Sequence, residues 1–274
     1  MINIGFWNIG LSKKKKNYID LVEPANESLS WLINSQDLDI LAVCEFPEQN
    51  PDFLNSENVL DRQYEEAHSI IPRLDTRIFY SKQTVSCFSN TSVIDEERHC
   101  MNRFSASGLE FNLSCVHLPS KLNGLDDNTR KIVVRSILEE VKDIEKVFDN
   151  RTIVVGDFNA DPYEGTMLGV DGFHALPDKG FAKTGRKVQG KVFEAFYNPT
   201  WNLYGDYNPP TGTHFYNNSH ATNQLWYLLD QVIMRPDMIE NFVPESLQII
   251  YEGVKNKHGR PGKSDHFPIV FSLK

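Results

Sequence analysis

Short polar clusters close apolar, strand-like runs at four places in this chain: Trp7-Asn8, Glu45, Gly156-Asp157-Phe158-Asn159 and Ser264-Asp265-His266. Asp and Glu are depleted from strands, because a pleated, half-buried surface suits β-branched and aromatic residues better. Carboxylates delivered at strand ends therefore point to convergence on a shared charge. The fold such a chain needs is one whose strand ends and loops gather at a single edge.

The runs themselves predict the elements. Residues 2–7 read as a first strand and residues 27–35, with Leu29, Trp31, Leu32 and Ile33, as a short helix. Ile40-Leu-Ala-Val-Cys44 is a continuous apolar run of strand length, the kind buried on both faces, and it delivers Glu45. Between 76 and 118, short alternating segments such as Arg77-Ile-Phe-Tyr80, Val85-Ser-Cys-Phe88 and residues 109–116 predict antiparallel strands. From 128 to 148, Val134, Ile137, Leu138, Val141, Ile144 and Phe148 form one helical face. Arg135, Glu139, Glu140, Lys142 and Glu145 lie opposite, and Asp126, Asp127 and Asn128 offer caps. Thr152-Ile-Val-Val155 then runs into Gly156-Asp157.

Residues 160–224 are rich in Gly, Pro, Asn and aromatics and show little periodicity, as a functional loop region does. Regular structure resumes at 225–234, 247–251 and 266–273. This order predicts an α/β fold, a four-layer α/β/β/α sandwich in which two mostly antiparallel sheets pack face to face with helices outside. One domain over 1–274 is expected, with 160–224 as a loop-rich insertion, since 274 residues bury one sizeable core.

The net charge of −9 removes any global field toward nucleic acid or an anionic membrane, while leaving room for a local basic groove. No apolar run approaches the ~20 residues that span a bilayer. The first residues lack a basic region followed by an apolar one, so a soluble, cytoplasmic protein is expected. Cys44, Cys87, Cys100 and Cys115 have neither zinc-site spacing nor disulfide density, and all four are expected to be structural.

The set Trp7-Asn8, Glu45, Val116-His117-Leu118, Gly156-Asp157-Phe158-Asn159, Leu229-Asp230-Gln231-Val232 and Ser264-Asp265-His266 resembles the endonuclease/exonuclease/phosphatase superfamily in order and spacing from end to end. That resemblance implies a magnesium-dependent phosphodiesterase, with manganese as a possible substitute. A hard cation takes oxygen ligands, for which Glu45 is the best candidate, with Asn8 and Asp265 beside it. Taken singly, Glu45 would cap a turn before Phe46-Pro47, and Asn8 would form a turn before Gly10. By resemblance, Asp157 orients or deprotonates water and Asn159 contacts the phosphate; their two-residue spacing puts both on one side of a strand. His266 would stabilise the developing charge, and Asp265 would hold its ring or share the metal. A His117 and Asp230 couple would protonate the leaving oxygen, with Asp230 fixing the imidazole tautomer.

Trp201, Tyr204, His214 and Tyr216, together with Tyr207, Phe215 and Trp226, offer stacking faces for bases or an aromatic cluster that holds its own loop. Lys183, Arg186, Lys187 and Lys191 add charge upstream, and Lys13-Lys14-Lys15-Lys16 reads as a solvated loop. A nucleic acid substrate and nuclease activity are the leading expectation. A phosphatase or phospholipase acting on an inositol phosphate or sphingomyelin is the alternative, and a non-catalytic binding module is the third.

Overall fold

A computed structural model describes residues 1–11, 16–47, 51–67, 76–88, 98–121, 127–207, 209–217 and 223–274. Lys13, Lys14 and Lys15 of the basic run and the expected cap Asp126 lie outside these. Apolar runs of strand length pair first: β1 (Ile2–Asn8) lies parallel to β2 (Ile40–Cys44), and α1 (Tyr18–Ser35) makes the crossover. With β3 (Tyr64–Glu66), β4 (Thr76–Ser81), β16 (Phe242–Ile249) and β17 (Ile269–Leu273), they form a six-stranded sheet in the order β16-β17-β1-β2-β4-β3.

The second sheet repeats the plan. Its central parallel pair is β7 (Leu109–His117) and β8 (Thr152–Asp157), joined by the long helix α3 (Asp127–Phe148); the short α2 (Glu57–Leu60) precedes it in the chain. β5 (Ser86–Phe88) and β6 (His99–Ala106) flank one side, and β9 (Ala175–Leu176), β12 (Phe196–Tyr197) and β15 (Asp230–Met234) the other. The order is β5-β6-β7-β8-β15-β12-β9. All neighbours in both sheets are antiparallel except β1 with β2, β7 with β8, and β9 with β12. This is the two-sheet α/β sandwich expected from the element order.

Period-two alternation sorts the second sheet into its layers. Ile153 and Val155 join the core shared with the first sheet, while Val154 joins Val134, Ile137, Val141 and Ile144 under α3. Between the sheets, the Cys44 and Cys115 sulfurs meet at 4.0 Å as free thiols, in line with their expected structural role. Among the described residues, no helix is long and apolar enough to cross a membrane.

Three local expectations change. α1 begins at Tyr18 rather than at residue 27 and carries Pro24 inside it; proline lacks an N–H and so reads as a helix boundary in sequence. The polar side of α3 is not wholly solvated. Buried Glu145 forms a two-pronged ion pair with Arg235 at 2.8 Å, and Glu140 takes His99 Nδ1 at 2.8 Å while Ser114 sits 2.6 Å from His99 Nε2. The irregular 160–224 region contributes β9 and β12 to the second sheet's edge, a small hairpin of β10 (Arg186–Val188) and β11 (Lys191–Phe193), and β13 (His214–Phe215), which pairs with β14 (Trp226–Tyr227).

Candidate active site

The two parallel pairs point the same way, so the carboxyl ends of β1, β2, β7 and β8 reach one edge with Asn8, Glu45, His117 and Asp157. Strand register completes the row, because His117 lies opposite Asp157 and Asp157 opposite Asp230. All three share the parity of residues facing the first sheet: Cys115 with His117, Val155 with Asp157 and Val232 with Asp230. His266 arrives just before β17, held there by the buried Trp7 indole, which donates to its carbonyl at 3.0 Å. Ser264 Oγ donates to Asn8 O at 2.6 Å and pins the same turn to β1.

Side chains from both sheets then meet. The Asn8 amide nitrogen donates to Asp157 Oδ2 at 3.0 Å and approaches Glu45 Oε1 at 3.4 Å. His117 Nε2 stands 3.7 Å from both Glu45 Oε1 and Asp157 Oδ2. The Asp157 carboxylate is steadied by Asn159, whose main-chain N–H donates to Oδ1 at 2.8 Å and whose amide donates to Oδ2 at 3.2 Å. Glu45 and Asn159 both hold left-handed backbone, with φ of 52° and 46°. Such conformations cost ~1–3 kcal/mol in non-glycine residues and persist only when their surroundings fix them.

One expectation is corrected by this geometry. Asp230 does not couple to His117; its Oδ2 lies 2.8 Å from His266 Nδ1. The reason is topological, since β8 runs between β7 and β15 and places Asp157 between the two. Asn8 Oδ1 accepts the Gly10 N–H at 3.0 Å, while its amide nitrogen lies between the Asp157 and Glu45 carboxylates.

The charges are strongly perturbed. Burial opposes the imidazolium of His266, but the Asp230 and Asp157 carboxylates outweigh it and raise its pKa to about 10. Burial also pushes the Asp230 carboxyl above its ordinary range, against the pull of His266. Asp230 Oδ1 is buried with no hydrogen-bond partner. One ligand atom each from Asp157, Asp230 and His266 lies within 4.8 Å of the others. Glu45 faces this group from the first sheet, with His117 Nε2 between it and Asp157, and carboxylate oxygens of this kind suit a divalent cation.

An endonuclease/exonuclease/phosphatase family protein from Bacteroides thetaiotaomicron superposes with TM-score 0.63 at 14% identity, over 99% of this chain and 97% of that one. The chain has the endonuclease/exonuclease/phosphatase fold. A mannosyl-6-phosphatase from the same organism matches with TM-score 0.62 and 14% identity over 100% of both chains. D. rerio TDP2, complexed with a single-strand DNA product, matches with TM-score 0.57 and 16% identity over 100% of this chain and 98% of that one. No family model and no curated protein matches the chain by sequence.

Within this endonuclease/exonuclease/phosphatase fold, a cavity of about 170 Å³ opens beside the site, lined by Asn159, Lys121, Glu164, His214, Tyr216 and Tyr227. Lys121 and Glu164 form an ion pair on its wall. His214 packs on His266 with ring centroids 4.5 Å apart and lies nearly parallel to Tyr216, at 17°. Of the expected aromatic faces, His214 and Tyr216 flank the site. Trp201 and Tyr204 do not line this cavity; Trp201 sits in a 3-10 turn and Tyr204 packs edge-on against Tyr163. The Asp265 carboxylate is at the surface and shares a group with His214 and His266.

One residue at the site escaped the sequence reading. Arg130 is fully buried and its Nη2 donates to the Phe158 and Asn159 carbonyls at 2.8 and 2.7 Å. Burial lowers its pKa, against the support of Glu164 and Asp127. The signal was present, because position 130 extends the apolar stripe of α3 backward from Val134 by one i, i+4 step. A charge on that stripe has to be held by something inside.

Proposed function

We propose that the protein is a divalent-metal-dependent phosphodiesterase acting on nucleic acid. The observation that carries this reading is the convergence of Glu45, His117, Asp157, Asp230 and His266 on one edge from both sheets, with an imidazolium fixed beside converging carboxylates. A divalent cation held by Glu45 would neutralise and polarise phosphate oxygens.

The chain's own groups do the rest. Asp157, positioned by Asn8 and Asn159, accepts a proton from an attacking water. His266, kept cationic by Asp230, stabilises the extra negative charge on phosphorus oxygens. His117, whose Nε2 faces the same carboxylates, donates a proton to the departing oxygen. His214 and Tyr216 offer a flat aromatic flank to a base. The likeness to a structure complexed with a single-strand DNA product and this flank favour a strand as substrate.

A second reading, a phosphatase acting on a phosphorylated sugar, is favoured by the cavity's size. At about 170 Å³ it falls below the ~300–1,000 Å³ of ordinary ligand pockets and suits a single ring. Hydrolysis of single-stranded DNA, duplex DNA, RNA, a hexose 6-phosphate and sphingomyelin, compared side by side with magnesium, separates the readings. Faster turnover of the sugar phosphate than of every polynucleotide would reject the nuclease.

A further inference from the structure

We infer that the protein carries a second binding site, for a small ringed anion of the nucleoside monophosphate class, at the end of the second sheet opposite the catalytic edge. Asp230 opens β15 at that edge and Arg235 follows its last residue, about 17 Å away at the ~3.3–3.4 Å rise of a strand residue. There a cavity of about 580 Å³ lies between α3, the turn that ends at His174, and a wall made by Val192 and Phe193 of β11. Its volume falls within the ~300–1,000 Å³ of ordinary ligand pockets, which the recess beside Asn159 does not reach.

Two buried side chains in the lining have hydrogen bonds left to make. Arg235 is 4% exposed and His174 is 2% exposed. Arg235 Nε and Nη2 both donate to Glu145 at 2.8 Å, so Nη1 is left without a hydrogen bond to any described residue; the Glu194 carboxylate stands 3.8 Å from it. His174 Nδ1 lies 2.9 Å from the main-chain oxygen of Glu194. A carbonyl only accepts, so Nδ1 carries the hydrogen and Nε2 is left as an acceptor, buried and unpartnered. Buried polar atoms in native proteins are paired as a rule, and an exception marks a ligand, a water or a function. His174 also holds left-handed backbone, with φ of 51°, a strain of the kind that gathers at ligand clamps.

The surroundings select the ligand. Nη1 offers a donor to an anionic oxygen, and Nε2 accepts from a hydroxyl or a ring N–H, so one molecule has to bring both. Lys142 stands exposed at the rim with no ion pair among the described residues, which adds attraction for an anion. The Arg235 guanidinium lies 4.1 Å from the Phe196 ring centre, and half-buried Phe193 presents a further face on which a flat ring can stack. A phosphate at Arg235 and Lys142, a sugar hydroxyl or base N–H at His174, and a base against Phe193 meet these demands together. Glu194 is exposed, so its carboxylate is free to swing aside when a phosphate takes its place.

Binding here is independent of the proposed phosphodiesterase activity and is measured without turnover. Chelator-stripped full-length protein is titrated with AMP by calorimetry, while nitrogen-edited nuclear magnetic resonance follows the imidazole rings. The expected result is saturable binding that shifts the His174 Nε2 signal in the wild type and in Asp157→Ala alike. Adenosine, which lacks the phosphate, should bind at least ~10-fold more weakly, the scale of a lost hydrogen bond to a charged group. Ribose 5-phosphate, which lacks the base, should lose at least ~5-fold, the scale of one stacked ring. His174→Phe should lose about 5-fold in AMP affinity, and Lys142→Glu, a surface change that leaves the core intact, about 3-fold. Circular dichroism and melting curves confirm that each variant is folded. AMP that leaves the His174 signal unmoved, or that moves only His117 and His266, overturns the inference. So does ribose 5-phosphate binding as tightly as AMP, or unchanged AMP affinity in folded Lys142→Glu and His174→Phe.

Discussion

Replacing Arg130 by Met keeps most of the side-chain volume and removes only the charge and the donors. In the native protein the guanidinium donates to the carbonyls of Phe158 and Asn159 at 2.8 and 2.7 Å. Hydrogen bonds to charged groups contribute ~1.5–3 kcal/mol each, giving about 3–6 kcal/mol gross for two. Relief of the buried charge offsets part of that, because apolar replacement of buried ions recovers ~1–4 kcal/mol. A net loss of about 2–3 kcal/mol is expected, and at ~2 °C per kcal/mol for a chain of this size the melting temperature falls by about 4–6 °C. Asn159 then loses the anchor of its left-handed backbone, and Asp157 loses two well-aligned donors. Turnover should therefore fall by at least ~10-fold, the scale of one displaced catalytic contact. Differential scanning calorimetry and initial rates on a chromogenic phosphodiester measure the two effects. In an Asn159→Ala background the same change should cost stability and little further turnover. Wild-type melting and wild-type rates in Arg130→Met would show that the guanidinium holds neither the fold nor the Asn159 turn.

Three other outcomes follow from the geometry. Gly156→Ala places a Cβ 2.0 Å from Val116 O in the neighbouring strand, so it should destabilise by more than ~2 kcal/mol in denaturant melts. The His266 imidazole, with a folded pKa raised to about 10, contributes stability that is complete below its unfolded value near 6.5 and lost as pH climbs through about 10. Nuclear magnetic resonance titration of metal-free protein should find that ring charged at neutral pH, and Asp230→Asn should lower its midpoint. Glu145→Ala strands the buried Arg235 charge and should cost ~3–5 kcal/mol by chemical unfolding, with no requirement for a change in catalysis.

The sequence announced much of this because strand ends are short-range events. The run Ile40-Leu-Ala-Val-Cys44 and the Thr152-Ile-Val-Val155 segment each fix where the chain emerges, and Glu45 and Asp157 emerge with it. Parity along β7, β8 and β15 then puts His117, Asp157 and Asp230 on one face. What was hidden depends on which strand lies between which. Asp230 was matched to His117, yet β8 separates them, and the histidine within reach comes from the turn before β17. Register of that kind is set by long-range pairing, which periodicity does not carry. Glu145 looked solvated because Arg235, its partner, lies 90 positions further along the chain. The 160–224 region was opaque for a related reason, since β9 and β12 are two-residue strands whose pairing is tertiary.

In the proposed reaction, residues from both sheets surround one phosphorus atom, and the Asp157 carboxylate is where their contacts meet. Hydrolysis of a chromogenic phosphodiester by wild type and by Asp157→Ala, each with magnesium and with chelator, tests it directly. Wild type with magnesium should turn over, chelator should abolish that turnover, and Asp157→Ala should lose at least ~100-fold, as expected for a lost transition-state contact. A folded Asp157→Ala protein with the wild-type rate, or undiminished turnover in chelator, would contradict the account.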